Sequence, residues 1–373
     1  SDWANLPEHL LDSILKRLVS PYHTQPQPDY IRFSVVCMSW YCVAKHNKRH
    51  RPPMLLIHTA KKGTWNLYNV MDGNFLDLQL KLPNKRFCGF SKGWLIAMNL
   101  NLVITLINPF FRVKGRKKRD ASIIDLPPLD GKSGFKPLIA EFVIKATISA
   151  DPILDANNCI VVVIYEGRGQ LAFIRLNKDT TWTYVDESLC FIEDVVHFKD
   201  KFYVVKEGGV LFSSDITTQS ISNKQLVAEG MKSDQLEKTY LVVLNDKELW
   251  MVQRYIKFED GSRVTTKFRI SKLNFDEYKW VDKKSIGYFA IFLGDNCSIS
   301  VLASNVSGCQ PNCIYFNCDY DRYVGYSKNR LCQDFGVYNV ESQIFSKPYT
   351  TDAKALIEKT RQPPYWVLPT FQL

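Results

Sequence analysis

The sequence offers little support for a membrane-spanning, secreted or metal-dependent protein. Its longest apolar stretch, residues 94–107, is too short to cross a bilayer and is interrupted by Asn99 and Asn101. The first residues contain no basic and apolar segment of the kind that forms a signal peptide. Ten cysteines without regular spacing favour free thiols in a reducing compartment, and six histidines form no metal-ligand pattern. We therefore expect a protein of the cytoplasm or nucleus that binds no membrane and needs no cofactor.

The net charge of +10 is concentrated in two short segments. Residues 45–51 hold four basic side chains and residues 112–119 hold six, and neither segment contains an acid. The rest of the chain carries 38 basic and 38 acidic residues, so its formal charge is zero. Residues 112–119 also lack aromatic side chains, which argues against a nucleic-acid surface. Residues 45–51 are most simply the solvated end of a helix.

The second basic segment is predicted to be a loop, because it separates two strand-like stretches. A solvated loop is the simplest interpretation. The alternatives are a nuclear-localisation signal, a contact for an acidic substrate and a phosphate contact. The basic residues concerned are Arg112, Lys114, Arg116, Lys117, Lys118 and Arg119.

Helical signals are concentrated in the first fifty residues. Asn5 and Glu8 have the spacing of a capping box, and a single apolar stripe follows as far as Leu18. The Gln- and Pro-rich residues 24–28 cannot be helical, and a second helix is predicted from Asp29 onward. Two such helices bury too little surface to be stable alone, so their apolar faces need a partner.

These helices carry the pattern W-x-x-L-P-x-x-L-L-x-x-I-L-x-x-L, followed by R-F-x-x-V-C-x-S-W. Over residues 2–46 this pattern resembles the F-box, the helical module through which substrate receptors dock on Skp1. The alternative is an N-terminal helical cap packed on the main domain. The Gln/Pro insertion between the helices departs from the family but leaves the pattern intact. The resemblance implies Skp1 contacts at Leu6, Pro7, Leu10, Leu11, Ile14, Leu15, Leu18, Phe33, Val36, Cys37 and Trp40.

From Met54 onward the sequence changes to short β-runs separated by turns. The clearest hairpin surrounds Asp260-Gly261, a strong tight-turn signal. A short helix is expected at residues 352–359. The strand after the hairpin alternates between two faces, with Val264, Thr266, Phe268 and Ile270 on one and Arg263, Thr265, Lys267 and Arg269 on the other.

A weak internal period runs through this β-rich part. Aromatic segments recur around Trp182 and Trp280, and strand–turn–strand pairs recur about every 50 residues, the spacing of propeller blades. This period predicts a propeller of six or seven blades, with a β-sandwich pair or an irregular barrel as alternatives. The units are residues 55–80, 94–126, 160–185, 202–214, 241–281 and 314–344.

Six further pieces of sequence occur in a recognisable order: GFSKGWL, LINPF, IIDLPPL, NCIYFNCD, FGVYNVES and PPYWVLP. They resemble plant F-box proteins that carry the uncharacterised DUF295 domain, a propeller-like β-domain. The resemblance implies two domains, an F-box at residues 1–50 and a β-propeller at residues 51–373. The expected fold class is therefore α+β by domains, with a small helical module before an all-β domain.

Two patterns could suggest chemistry, and both are better explained structurally. Residues 89–93 match G-x-S-x-G, but a strand rather than a helix follows, so Ser91 is predicted to lie in a propeller turn. A hydrolase that uses Ser91 is the discarded alternative. Cysteines 309, 313, 318 and 332 have gaps unlike those of zinc knuckles, so we expect free thiols and no metal.

The sequence thus predicts a non-enzymatic substrate receptor of an SCF (Skp1–cullin–F-box) ubiquitin ligase. Its partners would be a Skp1-like adaptor, through it cullin-1 and a RING subunit, and a protein substrate. One branch of the resembled family recruits a GSK3-like kinase, but no residue assigns this chain to that branch. A scaffold that sequesters a partner without ubiquitylation is the alternative.

Substrate contacts are expected in loops on one face of the propeller. One candidate is the basic loop at residues 112–119. The other is the segment at residues 320–330, because aromatic and Arg side chains are typical of interface hot spots. Its candidate residues are Tyr320, Arg322, Tyr323, Tyr326 and Arg330.

Overall fold

The computed structural model describes residues 3, 6–18, 33, 36–37, 39–40, 43, 52–59, 61, 63–81, 86–99, 101–109, 123–129, 142–166, 169–185, 189–214, 224–231, 237–259, 262–319, 334–347, 350–360 and 363–369. Within these ranges the fold is a six-bladed β-propeller, with an α-helix of eleven residues before its first strand and one of ten residues before its last. The two helices are α1 (Glu8–Leu18) and α2 (Thr351–Thr360). The second confirms the helix predicted at residues 352–359.

Each blade is one sheet. The first blade contains β1 (Met54–His58), β2 (Thr64–Asn69) and β3 (Asn74–Lys81). The second contains β4 (Arg86–Ser91), β5 (Trp94–Met98), β6 (Val103–Ile107) and β7 (Ile123–Pro128). The third contains β8 (Val143–Ile148), β9 (Ile160–Tyr165), β10 (Gln170–Arg175) and β11 (Thr183–Tyr184).

The fourth and fifth blades are built from β12 (Ile192–Phe198), β13 (Lys201–Lys206), β14 (Leu211–Ser214) and β15 (Lys224–Ala228), and from β16 (Glu237–Leu244), β17 (Glu248–Glu259), β18 (Ser262–Asn274) and β19 (Lys279–Lys283). The sixth contains β20 (Phe289–Leu293), β21 (Ser298–Leu302), β22 (Cys313–Phe316), β23 (Gly336–Asn339) and β24 (Phe345–Ser346). The last strand, β25 (Tyr365–Val367), belongs to the first blade.

The ring is closed by strands from the two ends of the propeller. Strand β25 pairs antiparallel with β1, so that Met54 lies opposite Val367 and Leu55 opposite Trp366. The sheet order β25-β1-β2-β3 makes β25 the inner strand of this blade. Hydrogen bonding across one sheet therefore joins segments that are some three hundred residues apart in sequence.

The six blades coincide with the six units predicted from the sequence, and the choice between six and seven is settled as six. Blades two to five follow a simple meander from the inner strand outward. The sixth differs, because its order is β21-β20-β22-β23-β24 and β20 pairs with β22 in parallel. Its inner strand β21 therefore follows β20 in the chain and is joined to it by a turn at residues 294–297.

Two tryptophans of the recurring aromatic segments join neighbouring blades. The indole Nε1 of Trp182, in the third blade, donates to the carbonyl oxygen of Pro127 in the second blade at 2.8 Å. Trp280, in the fifth blade, donates in the same way to Gly209 of the fourth at 2.8 Å. Both rings are almost fully buried. The weak repeat in the sequence therefore reflects a contact that holds one blade against the next.

The predicted hairpin in the fifth blade is present as strands β17 and β18, while Asp260 and Gly261 lie outside the described residues. Phe268 and Ile270 are buried, as the alternation predicted, and Lys267 on the other face is exposed.

Among the described residues, no helix has the length and apolar character needed to cross a membrane.

Candidate functional site

The N-terminal helix α1 divides its apolar side chains between core and solvent. Leu11 and Leu15 lie four residues apart on one face and are only 0% and 2% exposed. Leu10 is 42% exposed, and Pro7 is also exposed. The apolar stripe predicted from the sequence therefore has a buried side, formed by Leu11 and Leu15, and an exposed side that includes Leu10.

The second N-terminal segment packs back on the start of the chain. The rings of Phe33 and Trp40 have centroids 4.5 Å apart, and both rings are buried. The indole Nε1 of Trp40 donates to the backbone oxygen of Trp3 at 2.8 Å. Trp3 and Val36 are 59% and 50% exposed. This part of the chain therefore leaves large apolar side chains in solvent, while Phe33 and Trp40 are part of the buried cluster that includes the first blade.

The predicted Skp1 contacts fall into three groups by exposure. The buried group, Leu11, Leu15, Phe33 and Trp40, belongs to the same hydrophobic cluster as the buried side chains of the first blade. The half-buried group consists of Leu6, Ile14, Leu18 and Cys37. Pro7, Leu10 and Val36 are exposed. Trp3, which is not among the predicted contacts, opens the pattern and is one of the most exposed apolar residues described.

Both candidate substrate segments lie outside the described residues, but the strands beside them are described. The inner strands β4, β8, β12 and β16 surround the axis and are parallel to one another, as the contacts between neighbouring strands show. We call the face where these strands begin the upper face and the face where they end the lower face. Met54, opposite Val367, lies at the lower face, so the N-terminal segment joins the propeller there.

The described strands that precede the two candidate segments end at opposite faces of the propeller. Strand β6, which precedes residues 112–119, ends at Ile107, level with the lower end of β4. Strand β22, which precedes residues 320–330, ends near Asp319, which contacts Lys238 at the upper end of β16. The prediction that loops of one face include both segments stays a prediction, because residues 112–119 and 320–330 lie outside the described residues. The direction of β22, parallel to β20, could not be read from the sequence.

A buried ionic cluster lies at the upper face between the fifth and sixth blades. At its centre is Arg254, whose side chain is fully buried on β17. The Nη1 atom of Arg254 lies 2.7 Å from Asp319 Oδ2, and its Nη2 atom lies 2.9 Å from Asp334 Oδ2. Nη1 also donates to the carbonyl oxygen of Asn317 at 2.9 Å, and Nε donates to the hydroxyl of Thr265 at 2.7 Å. This arginine is therefore paired on all sides.

The charges in this cluster stabilise each other against the cost of burial. Burial acts to raise the pKa of Asp319, but the charges of Lys238, Arg254 and Arg263 outweigh it and hold that pKa well below its usual range. Burial, followed by the charge of Asp319, raises the pKa of Tyr240 well above its ordinary value. Tyr240 therefore stays protonated and donates its hydroxyl to Asp319.

The cluster also holds together the two ends of residues 320–333. Asp319 and Asp334 are the last and first described residues on either side of that segment. Both carboxylates bind the same guanidinium, and Arg263 Nη2 lies 3.4 Å from Asp319 Oδ2 as well. The points where this segment leaves and re-enters the sixth blade are therefore fixed by buried ion pairs.

The turn at residues 294–297, which we call the axial turn, reaches toward the axis of the propeller. The backbone carbonyl oxygen of Asn296 accepts from the backbone N–H of Phe90 in the second blade at 3.1 Å. Asn296 Nδ2 donates to Trp366 of the first blade at 2.8 Å. Asp295 pairs with Lys238 of the fifth blade. The turn thus connects the sixth blade to three others.

The charged residues facing the turn confirm that the axis is filled at this level. Lys145 of the third blade and Asp194 of the fourth pair at 2.6 Å, with side chains only 9% and 1% exposed. Both lie close enough to Cys297 to influence it electrostatically, although burial is the main cause that raises the pKa of Cys297 to about 12. The described residues therefore provide a packed axis at this level instead of an open channel that could hold a substrate.

The two patterns weighed for chemistry have structural roles. Ser91 ends β4, and Lys92 and Gly93, with φ of 52° and 88°, form the hairpin turn into β5, as predicted. The Ser91 hydroxyl donates to Ile148 O at 3.3 Å and accepts from Thr147 at 3.2 Å.

The late cysteines correct one expectation. Cys309 and Cys313 are free, but Cys318 is in a disulfide bond, whose partner lies outside the described residues. The prediction of free thiols is therefore wrong for Cys318, because spacing along the chain does not show which segments the fold brings together. Within the described ranges, no three His, Cys, Asp or Glu side chains are grouped as a metal site requires.

The fold and the N-terminal segment define the class of this protein, a six-bladed β-propeller that follows a short helical segment. A profile of the KIB1-4 β-propeller family matches residues 67–339. The chain belongs to this family. The resemblance to plant F-box proteins with a propeller domain is thereby confirmed in its main features.

Several F-box proteins of Arabidopsis thaliana are similar in sequence. A putative F-box protein is 30% identical over 191 residues, so the match spans 49% of this chain and 48% of that protein. A probable F-box protein is 25% identical over 390 residues, covering 99% of this chain and 96% of that protein. F-box protein SKIP23 is 23% identical over 359 residues, covering 85% and 84%.

Solved structures give a more distant likeness. The N-terminal domain of Nup159 has a TM-score of 0.36 at 10% identity, covering 65% of this chain and 64% of that chain. The β-propeller domain of Cps50 (Swd1) has a TM-score of 0.32 at 11% identity, covering 60% and 81%. Neither likeness is close enough to carry a functional argument.

Proposed function

We propose that this protein is the substrate-recognition subunit of an SCF ubiquitin ligase. Residues 1–50 bind a Skp1-like adaptor, and through it cullin-1 and a RING subunit, while residues 51–373 bind a protein substrate. The observation that carries the proposal is the exposure of three large apolar side chains in the N-terminal segment, Trp3, Leu10 and Val36, in a chain similar to F-box proteins. Exposed groups of this kind mark interaction sites.

The proposed role needs no covalent chemistry by this chain. A receptor acts by holding substrate lysines beside the charged ubiquitin-conjugating enzyme, which raises their effective concentration. The packed axis of the propeller agrees with a substrate that binds to surface loops. The adaptor is proposed to bind near the lower face, where the N-terminal segment joins the propeller. The upper face is then left for the substrate.

The upper face is also where residues 320–333 are attached. We propose that Tyr320, Arg322, Tyr323, Tyr326 and Arg330 contact substrate there. The supporting observation is the ionic cluster of Arg254, which fixes both ends of this segment. Preorganised attachment lowers the entropy lost on binding. The basic residues 112–119, attached at the lower face, are better candidates for a nuclear-localisation signal.

The adaptor contact can be tested by co-purification with a Skp1-like protein. Leu10→Asp combined with Val36→Asp should reduce the affinity by at least about 30-fold, because charges would replace exposed apolar contacts. Leu226→Asp, at a residue 46% exposed in the outermost strand of the fourth blade, is the matched control and should bind normally. Unchanged binding by the double variant would show that the N-terminal segment is not an F-box of the expected kind.

A scaffold that sequesters its partner without ubiquitylation is the second candidate. The same double variant separates the two candidates in cells. A ligase receptor would lose its effect on substrate abundance when adaptor binding is lost. A scaffold would still inhibit its partner. A GSK3-like kinase is a candidate substrate by resemblance alone, and co-precipitation with the intact chain would test it.

A further inference from the structure

The upper face of the fourth blade leaves one large aromatic side chain in solvent. Phe191 directly precedes β12 and is 50% exposed. Its carbonyl oxygen accepts from the N–H of Glu207 at 2.9 Å. The N–H of Ile192, the next residue, donates to the carbonyl oxygen of Gly169 in the third blade at 3.1 Å. The backbone from which this ring projects is therefore held by two neighbouring connections of the fold.

Three connections of the fourth blade form one continuous surface beside this ring. The turn Glu207–Gly209, between β13 and β14, is bonded to Phe191 on one side. On the other side, the carbonyl oxygen of Gly208 accepts from the N–H of Met231, which follows β15, at 2.8 Å. A Cβ atom added at Gly208 would meet no atom within 4 Å, so the middle of the surface is open. We call this the blade-four surface, and its residues are Phe191, Glu207, Gly208, Glu229, Gly230 and Met231.

The exposed charges of the blade-four surface are negative. Glu207 and Glu229 are both exposed. Lys206, at the end of β13, is half-buried. Because the whole chain carries a net charge of +10, this surface differs in sign from the protein as a whole. An exposed ring beside two carboxylates favours a partner that combines an apolar group with positive charges.

We propose that the blade-four surface binds an extended segment of the substrate in which a large apolar side chain lies beside Lys or Arg. The apolar side chain packs on Phe191, and the basic side chains pair with Glu207 and Glu229. This inference rests on the proposed function only in naming the substrate as the occupant. Nucleic acid and anionic membranes do not fit, because their phosphates have the same sign of charge as the two glutamates.

Three properties of the surface suit this role. Aromatic rings are typical anchors of protein interfaces, and a ring on a fixed backbone loses little entropy when a partner binds. The half-buried Met231 has a flexible side chain that can adapt to apolar groups of different shape. The open backbone at Gly208 lets an extended chain approach closely.

Selection from an array of short peptides tests the chemistry of the occupant. The array varies apolar, basic and acidic content, and the intact chain is the probe. We expect the bound peptides to be enriched in Leu, Ile, Met or Phe next to Lys or Arg. Binding that shows no preference for basic residues, or no selective binding at all, would overturn the proposal.

A peptide from that selection then allows the ring to be tested by fluorescence anisotropy. Phe191→Ala should weaken binding by about 10-fold or more. Tyr278→Ala is the matched control and should bind normally. Tyr278 is 56% exposed and has a φ of 50°, against 59° for Phe191, but it lies in the turn between β18 and β19 at the lower face. Equal weakening in the two variants would overturn the proposal.

Reversal of charge tests the two glutamates. Glu207→Lys combined with Glu229→Lys should weaken binding of the same peptide by about 10-fold or more, and should shift the selection toward acidic peptides. The control is Asp276→Lys combined with Glu277→Lys, a pair of exposed acids in the same turn as Tyr278, which should leave the selection unchanged. A preference for basic peptides that survives reversal at Glu207 and Glu229 would contradict the proposal.

Two further measurements separate the remaining outcomes. Phe191→Ala should co-purify with a Skp1-like adaptor as the unaltered chain does. Peptide selection by a chain that binds no adaptor would refute the ligase function and leave the blade-four surface standing, whereas adaptor binding without peptide selection would refute the surface alone. Sedimentation of the intact chain tests a second copy as occupant. Concentration-dependent association that the reversal of Glu207 and Glu229 abolishes would replace the substrate by a second copy, and a monomer supports the proposal.

Discussion

The N-terminal segment and the upper face of the propeller place side chains in opposite environments. In the N-terminal segment Trp3, Leu10 and Val36 are apolar and exposed. At the upper face Arg254 and Asp319 are charged and fully buried. Each arrangement is unfavourable unless a partner is present, because water solvates apolar groups poorly and the protein interior solvates charges poorly.

The two regions differ in where that partner lies. Arg254 and Asp319 find theirs within the chain, at 2.7 Å. The exposed apolar side chains find none in the described part of the chain. A buried charge with internal partners indicates a structural role, whereas an exposed apolar group indicates an external contact. The comparison therefore gives the polar cluster a structural role and leaves recognition by the exposed apolar side chains as our proposal, and four experiments test both.

Removing Arg254 should have the largest effect. Arg254→Ala leaves Asp319 and Asp334 buried without their main counter-charge, and breaking a buried pair in this way costs about 3–5 kcal/mol of the free energy of unfolding. Urea unfolding of the intact chain measures the loss. Arg269→Ala is the control, since Arg269 pairs with Asp282 at 2.7 Å with side chains 33% and 55% exposed, and should cost about 1 kcal/mol or less. Equal losses of unfolding free energy in Arg254→Ala and Arg269→Ala would contradict a structural role for the buried cluster.

Leu10 and Leu11 allow the comparison to be made between adjacent residues. Leu11→Ala opens a cavity in the N-terminal core and should cost about 2–5 kcal/mol of local stability, visible as faster hydrogen exchange in α1. Leu10→Ala should leave that exchange nearly unchanged and weaken adaptor binding instead. The reverse pattern would mean that the buried and exposed sides of α1 had been assigned wrongly.

The ionic cluster should make stability depend on acid pH. The depressed pKa of Asp319 means that its carboxylate stabilises the fold above the unfolded pKa of about 3.9, and that this contribution is lost as the pH falls further below that value. Unfolding by urea between about pH 5 and pH 2 should show a falling free energy of unfolding. Asp319→Asn should be less stable at pH 7 and should show a shallower fall, and an unchanged slope would count against the assignment.

The tryptophan contacts between blades should give the smallest effect. Trp280→Phe keeps most of the apolar ring but removes the hydrogen bond to Gly209, which should cost about 1 kcal/mol. Trp182→Phe should cost a similar amount, because its bond to Pro127 has the same length of 2.8 Å. Thermal unfolding of both variants measures the losses. A large difference between them would show that the two contacts are not equivalent.

The regular features of the propeller could be predicted because they depend on neighbours in sequence. The hairpin of β17 and β18 follows from a tight-turn signal and alternation. Trp182 and Trp280 recur because adjacent blades make the same contact. The N-terminal pattern predicted α1 in the same way, although it did not show that Leu11 would be buried and Leu10 exposed.

The irregular features could not be predicted because their partners are distant in sequence. Arg254 looks like one polar residue in an alternating strand, and its partners Asp319 and Asp334 lie 65 and 80 residues further on. The axial turn arises because β21 lies inside β20, an order that no local signal encodes. Contacts of this kind depend on how the ring closes.

The closure of the ring also has a consequence in time. Strand β1 is among the first propeller strands to be synthesised, and its partner β25 is synthesised about 300 residues later. At a synthesis rate of about 5–20 residues per second, the edge of β1 that pairs with β25 stays unpaired for roughly 15–60 s. An unpaired edge is a template for pairing with other chains. Newly made molecules therefore pass through an interval in which this edge is open to pairing with other chains.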